Sequence, residues 1–392
     1  MENFRFEVST DIRFGKDRLD ELPEVLKQFG TNVLFVYGGG SIKKNGLYDK
    51  INDLMHAHGF NVFELSGVEP NPRIETVRKG VELCREHNID VILPVGGGST
   101  IDCAKVIGAG VFYEGDAWDL VIKKASVGKV LPIVTVLTLA ATGSEMNRGA
   151  VISNPETNQK LGVGGWEMLP KASFLDPTTT FTVSKYQTAA GSADIFSHLM
   201  ENYFDSTPGT DVQDGVAEGL MKAVIKNVPI ALENPEDYDA RANLMWASTL
   251  ALNGLTGSGK KGSWSCHAME HELSAFYDIT HGVGLAILTP RWMLHILNEE
   301  TTPKFARFAK EVWGVQEENP EKAAREGIRK LYDYFVSCGI PMTLPEVGID
   351  TDKDFKEMAK QAVAHSSISE TAFVPLHAED VEAIYQASMT EM

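Results

Sequence analysis

Residues Ile89-Asp-Val-Ile-Leu-Pro-Val95-Gly96-Gly97-Gly98-Ser99-Thr-Ile-Asp102-Cys-Ala-Lys105 decide the fold. An aliphatic run of strand length stops at three glycines, and a helical segment bearing Asp102 and Lys105 begins at once. Strand, glycines, helix is an anion-binding arrangement: without Cβ atoms, backbone N–H groups can approach a phosphate, and the helix N-terminus adds partial positive charge. The same order occurs once earlier, at Tyr37-Gly38-Gly39-Gly40-Ser41. Neither turn fits the dinucleotide fingerprint, which needs a third glycine where Lys43 and Ile101 stand. Either alone is equally a tight strand-to-helix turn. Two of them in one region favour a bound dinucleotide.

Outward from these turns, roughly the first 180 residues alternate β-branched runs with amphipathic helical segments, the pattern of a parallel α/β layer. Asn32 to Tyr37, Asn61 to Leu65, Ile89 to Val95 and Leu131 to Leu137 read as strands. Leu19, Leu22, Leu26 and Phe29 show helical spacing, as do Val77, Val81 and Cys84. From about Lys185 the strand signal fades, and Val212, Val216, Leu220 and Val224 repeat at helical intervals, as do Ala240, Leu244, Ala247 and Ala251. A chain of 392 residues exceeds one ordinary core. The expectation is therefore an α/β dinucleotide-binding domain over residues 1–182, with a Rossmann-like parallel sheet, and an all-helical metal-binding and substrate domain over 183–392.

A formal charge of -18 repels phosphate backbones and anionic membranes, so neither nucleic acid nor a membrane is expected as a partner. Cys84, Cys103, Cys266 and Cys338 are widely spaced, and the N-terminus lacks the apolar core of a signal peptide; a reducing cytoplasm fits.

The helical half carries the metal-binding chemistry. Asp194 and His198 stand four apart in the apolar run Ile195, Phe196, Leu199, Met200 and Tyr203, so a helix projects carboxylate and imidazole from one face. Trp264-Ser-Cys-His267-Ala-Met-Glu270-His271 and Thr280-His281-Gly282 add three histidines. Imidazole with carboxylate suits Zn or Fe(II) over Mg or Ca. Other histidines, such as His56, His87 and His377, have no patterned partner. Two strings compete. Gly254-Leu-Thr-Gly-Ser-Gly259-Lys260-Lys261 resembles a P-loop, but Lys261 replaces the magnesium-binding hydroxyl and no strand precedes it. His267-Ala-Met-Glu270-His271 matches the inverted zinc-protease string, with Glu270 as general base, which makes a metallohydrolase the alternative reading. A protease has no use for two phosphate-cradling turns.

Taken together, Gly96-Gly-Gly-Ser-Thr-Ile-Asp102-Cys-Ala-Lys105, Thr138-Leu-Ala-Ala-Thr142-Gly143-Ser144-Glu145, Ala193-Asp194-Ile-Phe-Ser-His198 and His267 through His281 resemble the iron-containing (group III) alcohol dehydrogenases. The similarity runs nearly end to end, through Ile12-Arg-Phe-Gly15 and Pro70-Asn71-Pro72, and Tyr37-Gly-Gly-Gly-Ser-Ile-Lys-Lys-Asn-Gly46 points to the butanol dehydrogenase and aldehyde reductase branch. The resemblance implies a dehydroquinate synthase-like architecture, a homodimer, and the metal ligands Asp194, His198, His267 and His281, with His271 a polar neighbour of the substrate. It assigns cofactor contacts to Gly39, Ser41, Asn71, Gly97, Gly98, Ser99, Asp102, Thr138, Thr142, Asn147 and Lys160. A dehydroquinate synthase-like lyase is the other enzyme on such a scaffold, but its Gly-His-x-x-Gly-His-Ala string is absent.

The implied reaction interconverts primary alcohols and aldehydes, with hydride passing from nicotinamide to a carbonyl polarised by Fe(II) or Zn. His271, one turn from His267, is either a proton donor or a support for its neighbours. Many family members place an acidic residue after the first strand, where it repels a 2′-phosphate. Here Gly38 or Gly39 stands instead, with Ser41, Lys43 and Lys44 close behind, which favours NADP(H) over NAD(H). Trp264, Phe276 and Tyr277 suggest an apolar substrate pocket.

Overall fold

The computed structural model describes residues 1–262 and 264–392, and the chain divides into two compact units. The first holds Glu7–Val183 and Pro235–Thr249; the second holds Met1–Phe6, Ser184–Asn234 and Leu250–Met392. The strands all lie in the first unit: β1 Asp11–Phe14, β2 Asn32–Tyr37, β3 Asn61–Leu65, β4 Val91–Gly96, β5 Val134–Leu137, β6 Gly149–Asn154, β7 Gln159–Gly164 and β8 Ala172–Leu175. Six of them form one sheet in the order β1-β8-β5-β4-β2-β3, every pair parallel, while β6 and β7 make an antiparallel hairpin.

Every residue of β4 is buried, as are five of the six in β2, because helices cover both faces of the sheet. Period-two alternation sorts the strand side chains between the two layers. Val33, Phe35, Val91 and Leu93 pack with helices Leu22–Lys27 and Leu47–Ala57, whereas Leu34, Val36 and Ile92 pack with helices Ile74–Glu86 and Gly98–Gly110. The edge strands β1 and β3 are short and polar, a common means of blunting an open edge. From β2 the chain goes to β3 on one side and returns to β4 on the other, so β2 and β4 flank a reversal of strand order. Open parallel sheets take ligands at the carboxyl ends of such strands. Tyr37 pairs with Val95 there, and both glycine turns emerge side by side.

The second unit is built of helices, among them Lys185–Tyr203, Asp211–Glu233, Ser265–Tyr277, His281–Ile296 and Pro320–Ser337. Ser184 caps the first through the N–H of Gln187, and every residue from Thr188 to Tyr203 is buried, so this helix is central. Helix His281–Ile296 meets it at backbone distance: a Cβ on Gly282 would lie 1.9 Å from the Ala190 carbonyl oxygen. No helix among the described residues is long and apolar enough to cross a membrane.

Two segments depart from a simple division after residue 182. Met1 donates to the Pro208 carbonyl at 2.6 Å and Glu2 to Gly259 at 2.8 Å, which fastens the N-terminus to the helical unit. Met245 of helix Tyr238–Ala251 shares a small core with Ile101, Leu137 and Leu175, and Thr249 donates to buried Glu145 at 2.5 Å. An amphipathic segment read alone does not say which core it joins.

Candidate metal centre and cofactor face

Helix Lys185–Tyr203 presents Asp194 and His198 one turn apart, both almost fully buried. His267 lies in the first turn of helix Ser265–Tyr277, and His281 is the first residue of the next helix. The Nε2 atoms of His198, His267 and His281 stand 3.3, 3.7 and 3.6 Å from Asp194 Oδ1. Four donors on a tetrahedral ion with bonds near 2.1 Å would be about 3.4 Å apart. Asp194, His267 and His281 offer donor atoms within 4.8 Å of one another, and the His198 ring stacks on His267 at 4.8 Å. Among the described residues, buried Asp194 Oδ1 and His267 Nε2 find no hydrogen-bond partner, a cost of about 1–3 kcal/mol each that a bound cation would relieve. The residues fit a divalent ion.

The electrostatics agree. Burial works to raise the Asp194 carboxyl, but the three imidazoles, His198 foremost, outweigh it and hold it well below the usual carboxylate range. Burial pushes His198 down to about 3. It also works to lower His267, where Glu201 and Asp194 prevail and raise it to about 9.

Two carboxylates stand behind the histidines: Glu201, which the sequence reading did not assign, and Glu270, which it gave only as the general base of the metallohydrolase alternative. Glu201 Oε2 lies 3.1 Å from His267 Nδ1, and its other oxygen accepts the backbone N–H groups of Cys266 and His267, capping their helix. Glu201 follows Asp194 at i+7 and His198 at i+3, a one-face spacing that could have revealed it. Glu270 accepts hydrogen bonds from His281 Nδ1 and Ser274 Oγ and is fully buried. A general base for water must meet water, so the metallohydrolase alternative loses its key residue.

His271 lies beside the cluster, its ring 6.2 Å from His267 and 5.7 Å from His281, and with Glu270 and His281 it forms a second close set of donors. Trp264 sets its ring edge-on to His198 and His267, with centroids 5.8 and 5.0 Å away. The P-loop-like string has a structural role: Lys260 donates to Asp214 at 2.7 Å and to the Asn202 carbonyl at 2.6 Å.

In the sheet unit, Gly97 precedes helix Gly98–Gly110, whose first residues are Gly98 and Ser99. Ser99 Oγ donates to the Pro70 carbonyl, tying the turn that holds buried Asn71 to this helix start. Thr138 N donates to the Gly96 carbonyl at 3.0 Å, and Thr142 occupies the space a Gly98 side chain would need. Asp102 accepts from Ser144 Oγ at 2.5 Å and from Val151 N at 2.9 Å, and Asn147 bonds Gly143 and Gly149, so both side chains brace the segment after β5. Lys160 is buried in β7 opposite Ser153.

Lys105, noted in the sequence only as part of the helix, is fully buried and donates to Ser144 Oγ, Asn147 O, Asn147 Oδ1 and Gly149 O at 2.8 to 3.0 Å. Burial pushes its ammonium down to about 8 against the pull of Asp102 and Glu145. At the other turn Gly39 and Ser41 are exposed. Lys43 is less available than the sequence implied. Its Nζ sits 4.4 Å over the Tyr48 ring and 5.1 Å over Tyr37, while both phenols donate to Glu64.

Comparison with known proteins gives one answer throughout. Residues 9–177 match the model of iron-containing alcohol dehydrogenases, and residues 188–389 match that of the C-terminal domain of Fe-containing alcohol dehydrogenases. The chain is 55% identical to NADH-dependent butanol dehydrogenase A of Clostridium acetobutylicum, over 99% of this chain and 100% of that protein. It is 38% identical to the NADPH-dependent aldehyde reductase YqhD of Escherichia coli, over 89% of this chain and 90% of that protein. The crystal structure of NADH-dependent butanol dehydrogenase A from Thermotoga maritima superposes with a TM-score of 0.95 at 40% identity, covering 100% of this chain and 99% of that one.

Proposed function

Because the chain belongs to the iron-containing alcohol dehydrogenase family, we propose that this alcohol/aldehyde oxidoreductase acts on primary alcohols and aldehydes of the butanol and butanal type, with NADP(H) preferred and one divalent ion, Fe(II) or Zn, in the helical unit. The observation that carries the reading is the convergence of three Nε2 atoms on Asp194 Oδ1 at 3.3 to 3.7 Å. Asp194, His198, His267 and His281 would hold the ion, which supplies Lewis acidity toward a carbonyl oxygen. His271, one helical turn from His267, is the candidate proton donor to the product oxygen. Trp264, edge-on to two of the imidazoles, walls the site with apolar surface suited to an alkyl chain.

The NADP(H) preference rests on the first glycine turn, which presents no carboxylate to a 2′-phosphate and leaves Ser41 and Lys44 exposed beside it. The relatives divide, the clostridial enzyme being named NADH-dependent and the Escherichia coli enzyme NADPH-dependent. The cytoplasm fits four free cysteines, and a homodimer is expected by family analogy.

The test is direct. Purified protein loaded with Zn or Fe(II) should oxidise NADPH when given butanal, and His198→Ala or His281→Ala should lose stoichiometric metal and activity together while still binding cofactor. Full metal occupancy in both folded variants refutes the ligand set, and a higher kcat/KM with NADH refutes the preference. His271→Ala should keep its metal and lose rate.

A further inference from the structure

We propose that Glu270 is a positioning residue for the metal centre, fixing the His281 imidazole with Nδ1 toward the carboxylate and Nε2 toward Asp194. The inference rests on the ligand set proposed above and adds a residue outside it. Glu270 and His281 belong to consecutive helices, and the contact runs from carboxylate Oε2 to ring Nδ1, while Nε2 of the same ring is 3.6 Å from Asp194 Oδ1. A neutral imidazole that donates its Nδ1 proton to a carboxylate presents Nε2 as acceptor, and the negative charge behind it makes that nitrogen a stronger donor to a cation.

Two further observations show a built contact. Ser274, one turn along the same helix, donates its hydroxyl to Glu270 Oε1, the carboxylate oxygen that His281 does not use. On the opposing helix Gly284 leaves the room the carboxylate occupies: a Cβ there would lie 2.8 Å from Glu270 Cγ and 3.2 Å from Oε1. Glu201, on helix Lys185–Tyr203, repeats the pattern, with Oε2 3.1 Å from His267 Nδ1. Each of these two histidines thus has its Nδ1 held by a carboxylate from another helix. His198 differs: among the described residues its buried Nδ1 finds no hydrogen-bond partner.

The experiment measures Zn²⁺ affinity of the full-length protein by competition with a chromophoric chelator, alongside the melting temperature with and without Zn²⁺. The proteins compared are wild type, Glu270→Ala, Glu270→Gln, Ser274→Ala, His281→Ala and Asp194→Asn. Glu270→Ala should weaken Zn²⁺ binding about 10- to 100-fold while remaining stoichiometric at saturation. Glu270→Gln, which keeps an acceptor for Nδ1 but loses the charge, should recover part of that loss. Ser274→Ala, the mildest change, should weaken binding in the same direction by less than Glu270→Gln. The gain in melting temperature on adding Zn²⁺ should shrink in step. Wild-type affinity in Glu270→Ala overturns the proposal. So does loss of stoichiometric Zn²⁺ from both Glu270 variants, which would make Glu270 a ligand alongside His271 and His281. Full Zn²⁺ retention by Asp194→Asn and His281→Ala would instead sink the ligand set, a separate and recognisable failure.

Discussion

The two strand-to-helix turns share the letters Gly-Gly-Gly-Ser and use glycine for opposite reasons. After β4 glycine is required by crowding: a Cβ on Gly96 would lie 2.4 Å from Thr100 Oγ1, and one on Gly98 2.1 Å from Thr142 Oγ1. The helix that follows is 13 residues long, enough to aim its N-terminal N–H groups and partial charge at an anion. After β2, a Cβ on Gly39 would meet nothing within 4 Å, and only Gly40, at φ +102°, needs glycine for its backbone. The helix there has four residues. The packed turn is therefore suited to hold a feature common to all nicotinamide cofactors, the pyrophosphate. The open turn is free to vary and suited to tell one cofactor from another.

The largest effect should come from the lysine behind the packed turn. Lys105→Met leaves four acceptors without their donor and Asp102 and Glu145 without their cation, and should cost about 3–5 kcal/mol by denaturant unfolding. A loss below 1 kcal/mol would remove Lys105 from the comparison. The pH profile sharpens this. With the folded ammonium lowered to about 8 from 10.5, its destabilising charge is fully felt below pH 8 and vanishes above 10.5, so stability relative to Lys105→Met should rise across that window by about 3 kcal/mol.

Gly98→Ala comes next, at about 1–3 kcal/mol with weaker cofactor binding, because the added methyl overlaps Thr142. Adding Thr142→Ala should restore part of the stability, and a tolerated Gly98→Ala would break the contrast between the turns. Gly39→Asp should leave the melting temperature unchanged and shift the NADPH to NADH ratio of kcat/KM about tenfold toward NADH, or roughly 1.4 kcal/mol. An unchanged ratio would move cofactor selection elsewhere in the fold. Smallest is Lys43→Met, which removes an exposed cation from the rings of Tyr37 and Tyr48 and should leave both the melting temperature and the ratio nearly unchanged.

The residues that could be read in the sequence are those whose roles are local. β2 and β3 match their expected bounds because each is a compact β-branched run, whereas β4 and β5 begin later than expected, at Val91 and Val134. In β1, Asp-Ile-Arg-Phe alternates polar and apolar over only four residues, and β8 is the equally short Ala-Ser-Phe-Leu; neither is long enough to stand out. Asp194 and His198 announce themselves by helical spacing, but the grip of Glu270 on His281 depends on how two helices dock, which no spacing encodes. Lys105 escapes for the same reason, since its acceptors lie about 40 residues downstream.

The interleaved chain has a consequence for synthesis. Everything up to Val183 leaves the ribosome first, yet the sheet unit still lacks Pro235–Thr249, and with it Met245 for the small core and the hydroxyl that Thr249 gives to Glu145. At ordinary elongation rates this leaves a delay on the order of seconds during which buried Glu145 has no donor from that helix. The nascent sheet must wait, partly finished, while the first helices of the other unit are made. A truncation at residue 183 would therefore yield an incomplete body with an exposed apolar seam along Ile101, Leu137 and Leu175, whereas residues 7–249 would contain every piece the sheet unit uses.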